Sequence, residues 1–162
     1  MHSLLQAVVY FHVGWEAEIT YAYMEGKAHM SSRILVVNDD ESLLELYRIL
    51  LEEEGFEVHT SFSAFEKVTE VEQMRPELII LDAKLGFHNE GLLFLQKLRL
   101  YPGTSRIPVF ICTAATLDMR EQEEILRQKN IPILYKPFDL DELLGLVHQM
   151  LVSERVEAVH SA

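Results

Sequence analysis

The sequence predicts an α/β protein in which a parallel sheet is wound with helices on both faces. Three observations carry this prediction. From Arg33 onward, short apolar runs alternate with longer amphipathic stretches, as in a strand–helix repeat. Most of the short runs are apolar without interruption, as expected of strands buried on both faces. The longer stretches begin and end on recognisable capping and stop residues.

Ile34-Leu35-Val36-Val37 reads as the first strand. The first helix follows from about Glu41 to Glu54, with Leu43, Leu46, Tyr47 and Leu50 on one face and Gly55 as its stop. Phe56-Glu57-Val58-His59 alternates and suits an edge strand. Ser63-Ala64-Phe65-Glu66 has the spacing of a capping box, so a second helix is expected to open there and to end before Pro76. Leu78 to Leu81 is the third strand, and Gly91 to Leu100 the third helix, closed by Pro102-Gly103. Ile107 to Cys112 forms a fourth strand, with Pro108 tolerated near its start. A fourth helix covers Leu117 to Gln128 and a fifth strand Ile131 to Tyr135. The fifth helix opens at Asp139 with Glu142 three residues on, and its stripe Leu140, Leu143, Leu144, Val147 reads as core packing.

A chain of 162 residues, 49% hydrophobic and 25% charged, has room for one domain and a short extra segment. Its net charge of −12 repels a phosphate backbone, so no nucleic-acid partner is expected. The single cysteine, Cys112, precludes an internal disulfide, falls short of a zinc or iron–sulfur cage, and reads as a small buried hydrophobe. This points to an intracellular, cytoplasmic setting. The apolar run Leu4 to Trp15 holds Gln6 and His12 and is shorter than the ~20 residues of a bilayer span. It lacks a basic flank and runs into Glu16 and Glu18, so neither a membrane span nor a secretory signal is expected. Seven histidines are scattered without an i, i+4 pair and read as surface residues.

Three segments follow from these signals: 1–32, 33–152 and a tail, 153–162. The first holds three acids and one base, which leaves −10 of the charge to the rest. Within it Trp15, Ala17, Ile19, Tyr21 and Tyr23 alternate with mostly polar residues at strand period, while Ser3 to Val13 fits a helix equally well. The segment is expected to be an upstream leader, with native synthesis starting near Met30, or a vector-derived or misassigned extension. If native and folded, it adds an apolar surface suited to a partner. So few residues follow the fifth helix that no output domain is expected.

In open parallel sheets, ligands bind beyond the carboxyl ends of the strands. Here the first strand ends in Asn38-Asp39-Asp40, the third in Asp82, the fourth in Thr113 and the fifth in Lys136-Pro137. With the first and third strands as neighbours, ~4.8 Å apart, Asp39 and Asp82 are expected within about 5 Å, a repulsion of about 3 kcal/mol at an effective dielectric of ~20. A cation belongs there. Mg²⁺, which takes carboxylates together with water and phosphate oxygens, suits the site, and Lys136 adds a further positive charge for a phosphoryl group.

The run ILVVNDDESLLELYRILLEEEGFEV, then LIILD, FICTAA and YKPF, closely resembles the receiver domain of two-component response regulators over about Arg33 to Leu151. The resemblance implies a flavodoxin-like, five-stranded doubly wound sheet of order 2-1-3-4-5. It implies that Asp82 is the phosphoacceptor, receiving a phosphoryl group from a histidine kinase or phosphotransfer protein. Asp39 would be the direct Mg²⁺ ligand, with the backbone carbonyl of Lys84 as a further ligand and Asn38 acting through a metal-bound water. Thr113 would bond one phosphoryl oxygen and Lys136 another, with a cis peptide between Lys136 and Pro137. A downstream protein target is implied, as is a homodimer through the face of the fourth helix, fifth strand and fifth helix.

Three positions depart from the family pattern. Asn38 stands where an outer acid is usual, and Asp39-Asp40 is an alternative acidic pair that shifts the helix register by one. The loop Ala83 to Glu90 is one residue longer than usual, with Gly86 in a common proline position and Gly91 nine after Asp82. Lys84, two residues after Asp82, leans into the metal site or points to solvent. Ile133 occupies the usual place of a switch aromatic, with Tyr135 two residues on and read as lying on the opposite face. Two rival functions remain on these grounds: a degenerate receiver acting as a phosphorylation-independent adaptor, and a small Mg²⁺-dependent phosphohydrolase. The second would want an acid where Lys84 stands.

Overall fold

The computed structural model describes residues 31–86, 90–114 and 116–160. The chain divides into two units, Met1–Met30 and Ser31–Ala162, and every element of the described fold belongs to the second. The readings of Trp15, the aromatic alternation, His2, His12, His29 and His88 lie outside the described residues. Among the described residues no helix is long and apolar enough to cross a membrane.

Ten elements alternate: β1 (Arg33–Val37), α1 (Glu41–Glu53), β2 (Glu57–Ser61), α2 (Val68–Met74), β3 (Leu78–Leu81), α3 (Glu90–Leu100), β4 (Val109–Ala114), α4 (Leu117–Gln128), β5 (Ile133–Lys136) and α5 (Leu140–His160). All strand pairs are parallel, in the order β2-β1-β3-β4-β5. Strand alternation divides the apolar side chains between two layers. Ile34, Val36, Leu78, Ile80, Phe110 and Cys112 face α1 and α5, where Leu44, Tyr47, Leu51, Leu143, Val147 and Leu151 close the core. Leu35, Val37, Ile79, Leu81, Val109 and Ile111 face the other way, against Val71 of α2, Phe94 and Leu98 of α3, and Met119 and Leu126 of α4.

Local chemistry explains the element ends. Asp40 caps α1, its carboxylate accepting from the backbone N–H groups of Ser42 and Leu43. At the other end Gly55 (φ +87°) allows a Schellman turn: Gly55 N–H bonds the Glu52 carbonyl and Phe56 N–H the Leu51 carbonyl. The expected capping box of α5 forms in both directions, Glu142 N–H to Asp139 at 2.8 Å and Asp139 N–H to Glu142 at 3.0 Å. That helix runs on to His160, through most of the segment set apart as a tail.

Four expectations need correction. The core stripe of α1 is Leu44, Tyr47 and Leu51, while Leu46 is exposed; two overlapping apolar stripes share Tyr47, and the one turned to the sheet wins. The second helix starts at Val68, not Ser63. Ser61 Oγ instead bonds the Ser63 carbonyl in a turn, and Phe65 lies 5.9 Å from the Phe94 ring, so packing of the irregular segment overrides the capping-box spacing. Leu140 is exposed, being at the first turn of α5. Finally, Ile133 and Tyr135 lie on the same side of the sheet, both packed with α4, while Leu134 packs on the other. A period of two puts residues two apart on one face.

The glycines of α3 and α5 have opposite roles. A Cβ on Gly91 would lie 1.9 Å from the Asp82 carbonyl oxygen, whereas one on Gly145 would meet nothing within 4 Å. Gly91→Ala is expected to lose more than about 2 kcal/mol through displacement of α3. Gly145→Ala should gain about 0.5–1 kcal/mol of helix propensity. Urea denaturation of both variants checks this contrast.

Candidate functional site

The parallel ladder pairs Val37 with Leu81, so the next residues along, Asn38 and Asp82, leave the sheet side by side. Both are buried, as is Thr113 at the end of β4. The Asp82 carboxylate accepts three hydrogen bonds. Lys136 Nζ donates to its Oδ2 at 2.7 Å, Asn38 Nδ2 donates to the same oxygen at 3.2 Å, and Lys84 N–H donates to Oδ1 at 2.9 Å. With the Lys136 side chain 23% exposed and that of Asp82 9%, the pair is shielded enough for its attraction to exceed that of a surface ion pair.

The residue beside Asp82 in register is Asn38, which follows Val37 as Asp82 follows Leu81. Asp39 is exposed, and its Oδ2 accepts from Gly86 N–H at 3.1 Å, joining the β1–α1 loop to the β3–α3 loop. Asp40 is committed to capping α1, which leaves Asn38 and Asp39 as the pair facing the site. Lys84 is exposed. The peptide between Lys136 and Pro137 is cis.

Among the described residues no group of three or more His, Cys, Asp or Glu is placed to hold a metal ion. Asp39 and Asp82 bring two carboxylates, both oxygen donors, to this edge. That chemistry fits a hard ion such as Mg²⁺, which keeps several of its waters, and does not fit zinc. A second observation points to an oxygen-rich ligand. The Thr113 hydroxyl is fully buried and, among the described side chains, is left without a hydrogen-bond partner.

Two features were missed in the sequence. Tyr135 is the ladder partner of Thr113, and its hydroxyl donates to Glu123 Oε2 of α4 at 2.9 Å. Burial, then this bond, raises its pKa. Correct strand alternation would have revealed the neighbour, though not the contact to α4. On the opposite face of β4, the Tyr47 hydroxyl lies 2.9 Å from Cys112 Sγ in the core, and the Tyr47 ring stacks on Phe138, 6.1 Å away. Burial drives the Tyr47 hydroxyl far above the usual phenol range and pushes the Cys112 thiol up to about 11.

The family model for the response regulator receiver domain matches residues 34–148. The phosphate regulon transcriptional regulatory protein PhoB of Rhizobium meliloti is 34% identical over 130 residues, 80% of this chain and 56% of that protein. The DNA-binding response regulator MtrA of Mycolicibacterium paratuberculosis is 33% identical over 122 residues, 75% of this chain and 52% of its own. The chain thus spans about half the length of these curated relatives. Among solved structures, the signal receiver domain of a putative Luxo repressor protein from Vibrio parahaemolyticus superposes with a TM-score of 0.70 at 27% identity. That match covers 82% of this chain and 99% of the other.

Replacing the orphan hydroxyl by a methyl in Thr113→Val should stabilise the protein by about 1 kcal/mol, read as a raised thermal midpoint. The buried Tyr47–Cys112 pair predicts an alkaline limit. The folded state holds the Cys112 proton up to about 11, against 9.0 ordinarily. Its contribution is therefore complete below about pH 9 and is lost as pH rises toward 11. Stability measured by denaturant between pH 8 and pH 11 should fall, and less steeply in Cys112→Ala.

Proposed function

The chain belongs to the response regulator receiver domain family, and from that premise we propose that Asp82 is its phosphoacceptor in a two-component phosphorelay. The observation that carries the proposal is the buried Asp82 carboxylate, bonded to Lys136 at 2.7 Å and near the end of the strand that holds the Thr113 hydroxyl, unpartnered among the described residues. In the proposed reaction an Asp82 oxygen forms a bond to phosphorus as the bond from phosphorus to a donor imidazole nitrogen breaks. The imidazole leaves with the bonding pair. Lys136 faces one phosphoryl oxygen and the Thr113 hydroxyl donates to another. The buried strand ends hold these groups in place, so little reorganisation is required at the moment of transfer.

Asp39, Asp82 and the Lys84 carbonyl would hold Mg²⁺, whose chemistry when bound is to neutralise charge on the transferring group. The protein consumes its own carboxylate in the step, so it acts as a signalling phosphoacceptor. The exposed lysine at position 84 supplies no general acid or base of the kind a phosphohydrolase needs.

The donor is proposed to be a histidine kinase or a phosphotransfer protein, and the output a protein partner. The face of α4, β5 and α5 is the proposed output surface. There Tyr135, the ladder neighbour of Thr113, donates to Glu123 of α4. DNA binding belongs to the name of the longer MtrA relative. For this chain, at net charge −12, we propose protein contacts in a cytoplasmic setting.

Acetyl phosphate, with Mg²⁺, should phosphorylate the wild-type chain and leave Asp82→Asn unlabelled. Lys136→Met should slow the reaction by about 10²-fold. Absence of labelling in wild type, or equal labelling of Asp82→Asn, would refute the assignment.

A further inference from the structure

We infer that Asn38 is a positioning residue that balances Asp82 with the protein's own groups, so that Mg²⁺ binds weakly by itself and the fold does not depend on it. The inference rests on the reading of Asp82 and Asp39 as metal-facing residues and adds how strongly this site takes its ion.

Asn38 is buried and bonded on both sides of its amide. Its Oδ1 accepts from Asp40 N–H at 2.9 Å, and its Nδ2 donates to Asp82 Oδ2 at 3.2 Å. A backbone N–H can only donate, so the amide oxygen must face Asp40 and the NH₂ group must face Asp82. The orientation is therefore set by the network. The consequence is a neutral donor at the position just past the Val37–Leu81 pair, where the ends of β1 and β3 bring Asn38 beside Asp82. With Lys136 on the same oxygen, Lys84 N–H on the other, and Gly86 N–H on Asp39, each carboxylate at this edge already has a partner.

An aspartate at position 38 would keep the acceptor for Asp40 N–H but turn an oxygen toward Asp82 Oδ2. Two carboxylates at adjacent strand ends repel strongly in a shielded site. A divalent cation would then offset that repulsion, and would bind more tightly for the same reason. Replacing Asn38 by Ala removes both hydrogen bonds but adds no charge. The two variants therefore separate an electrostatic role from a purely structural one.

Thermal unfolding of the full chain in EDTA and in millimolar Mg²⁺ tests this without any phosphorylation step. The wild-type midpoint should move by less than about 2 °C between the two conditions. Asn38→Asp should melt about 5–10 °C lower in EDTA and recover most of that in Mg²⁺. Asn38→Ala should be destabilised equally in both. A Mg²⁺ titration of amide chemical shifts should show Asn38→Asp binding at least about tenfold more tightly than wild type. The inference is overturned if Mg²⁺ shifts the wild-type midpoint by more than about 5 °C, or if Asn38→Asp responds to Mg²⁺ no more than wild type does. Failure of Asp82 to accept a phosphoryl group would refute the proposed function and leave these melting differences standing.

Discussion

The ion pair between Lys136 and Asp82 is the interaction on which the site depends. The two residues stand at the ends of β5 and β3, with β4 between them, and the parallel sheet, which puts these strand ends at one edge, brings them to 2.7 Å. Each nearby feature serves that arrangement. Gly91 lets the start of α3 approach the Asp82 backbone, and Asn38 fills the adjacent strand end with a neutral donor. Thr113 lies next to the end of the intervening strand, its hydroxyl unpartnered among the described residues. An open parallel sheet concentrates polar groups in this way because its interior must be apolar on both faces, so polar residues gather at the strand ends.

The fold was legible because its signals are local and redundant. Continuous runs such as Ile34–Val37 and Leu78–Leu81 have few alternatives to a doubly buried strand. Asp40, Gly55 and the Asp139–Glu142 pair mark helix ends through bonds made within a turn. Less was readable where tertiary packing chooses between equal local options. The α1 sequence has two apolar stripes through Tyr47, and only the sheet selects Leu44 and Leu51. Ser63 and Glu66 have the spacing of a capping box, but Phe65 packs against Phe94 in the irregular segment ahead of α2. The cores win in both places.

The site was legible in its membership and less so in its connections. Asp82, Thr113, Lys136 and Asp39 all lie at the expected edge. Register, not sequence proximity, decides that Asn38 and not Asp39 stands beside Asp82. The placement of Tyr135 beside Thr113 follows from strand alternation, so the aromatic missing at Ile133 has a counterpart one pleat further on, tied to α4 through Glu123. That last contact depends on where α4 packs, which no local pattern encodes.

A double-mutant cycle on Asp82 and Lys136 tests the central claim most directly. Stability is measured by denaturant for wild type, Asp82→Asn, Lys136→Met and the double variant. The account predicts that the single changes together cost more than the double change by at least about 1 kcal/mol, because each single change strands a shielded charge that the other group had neutralised. Additivity within about 0.3 kcal/mol would contradict it, since the two groups would then be neighbours without a shared energetic role.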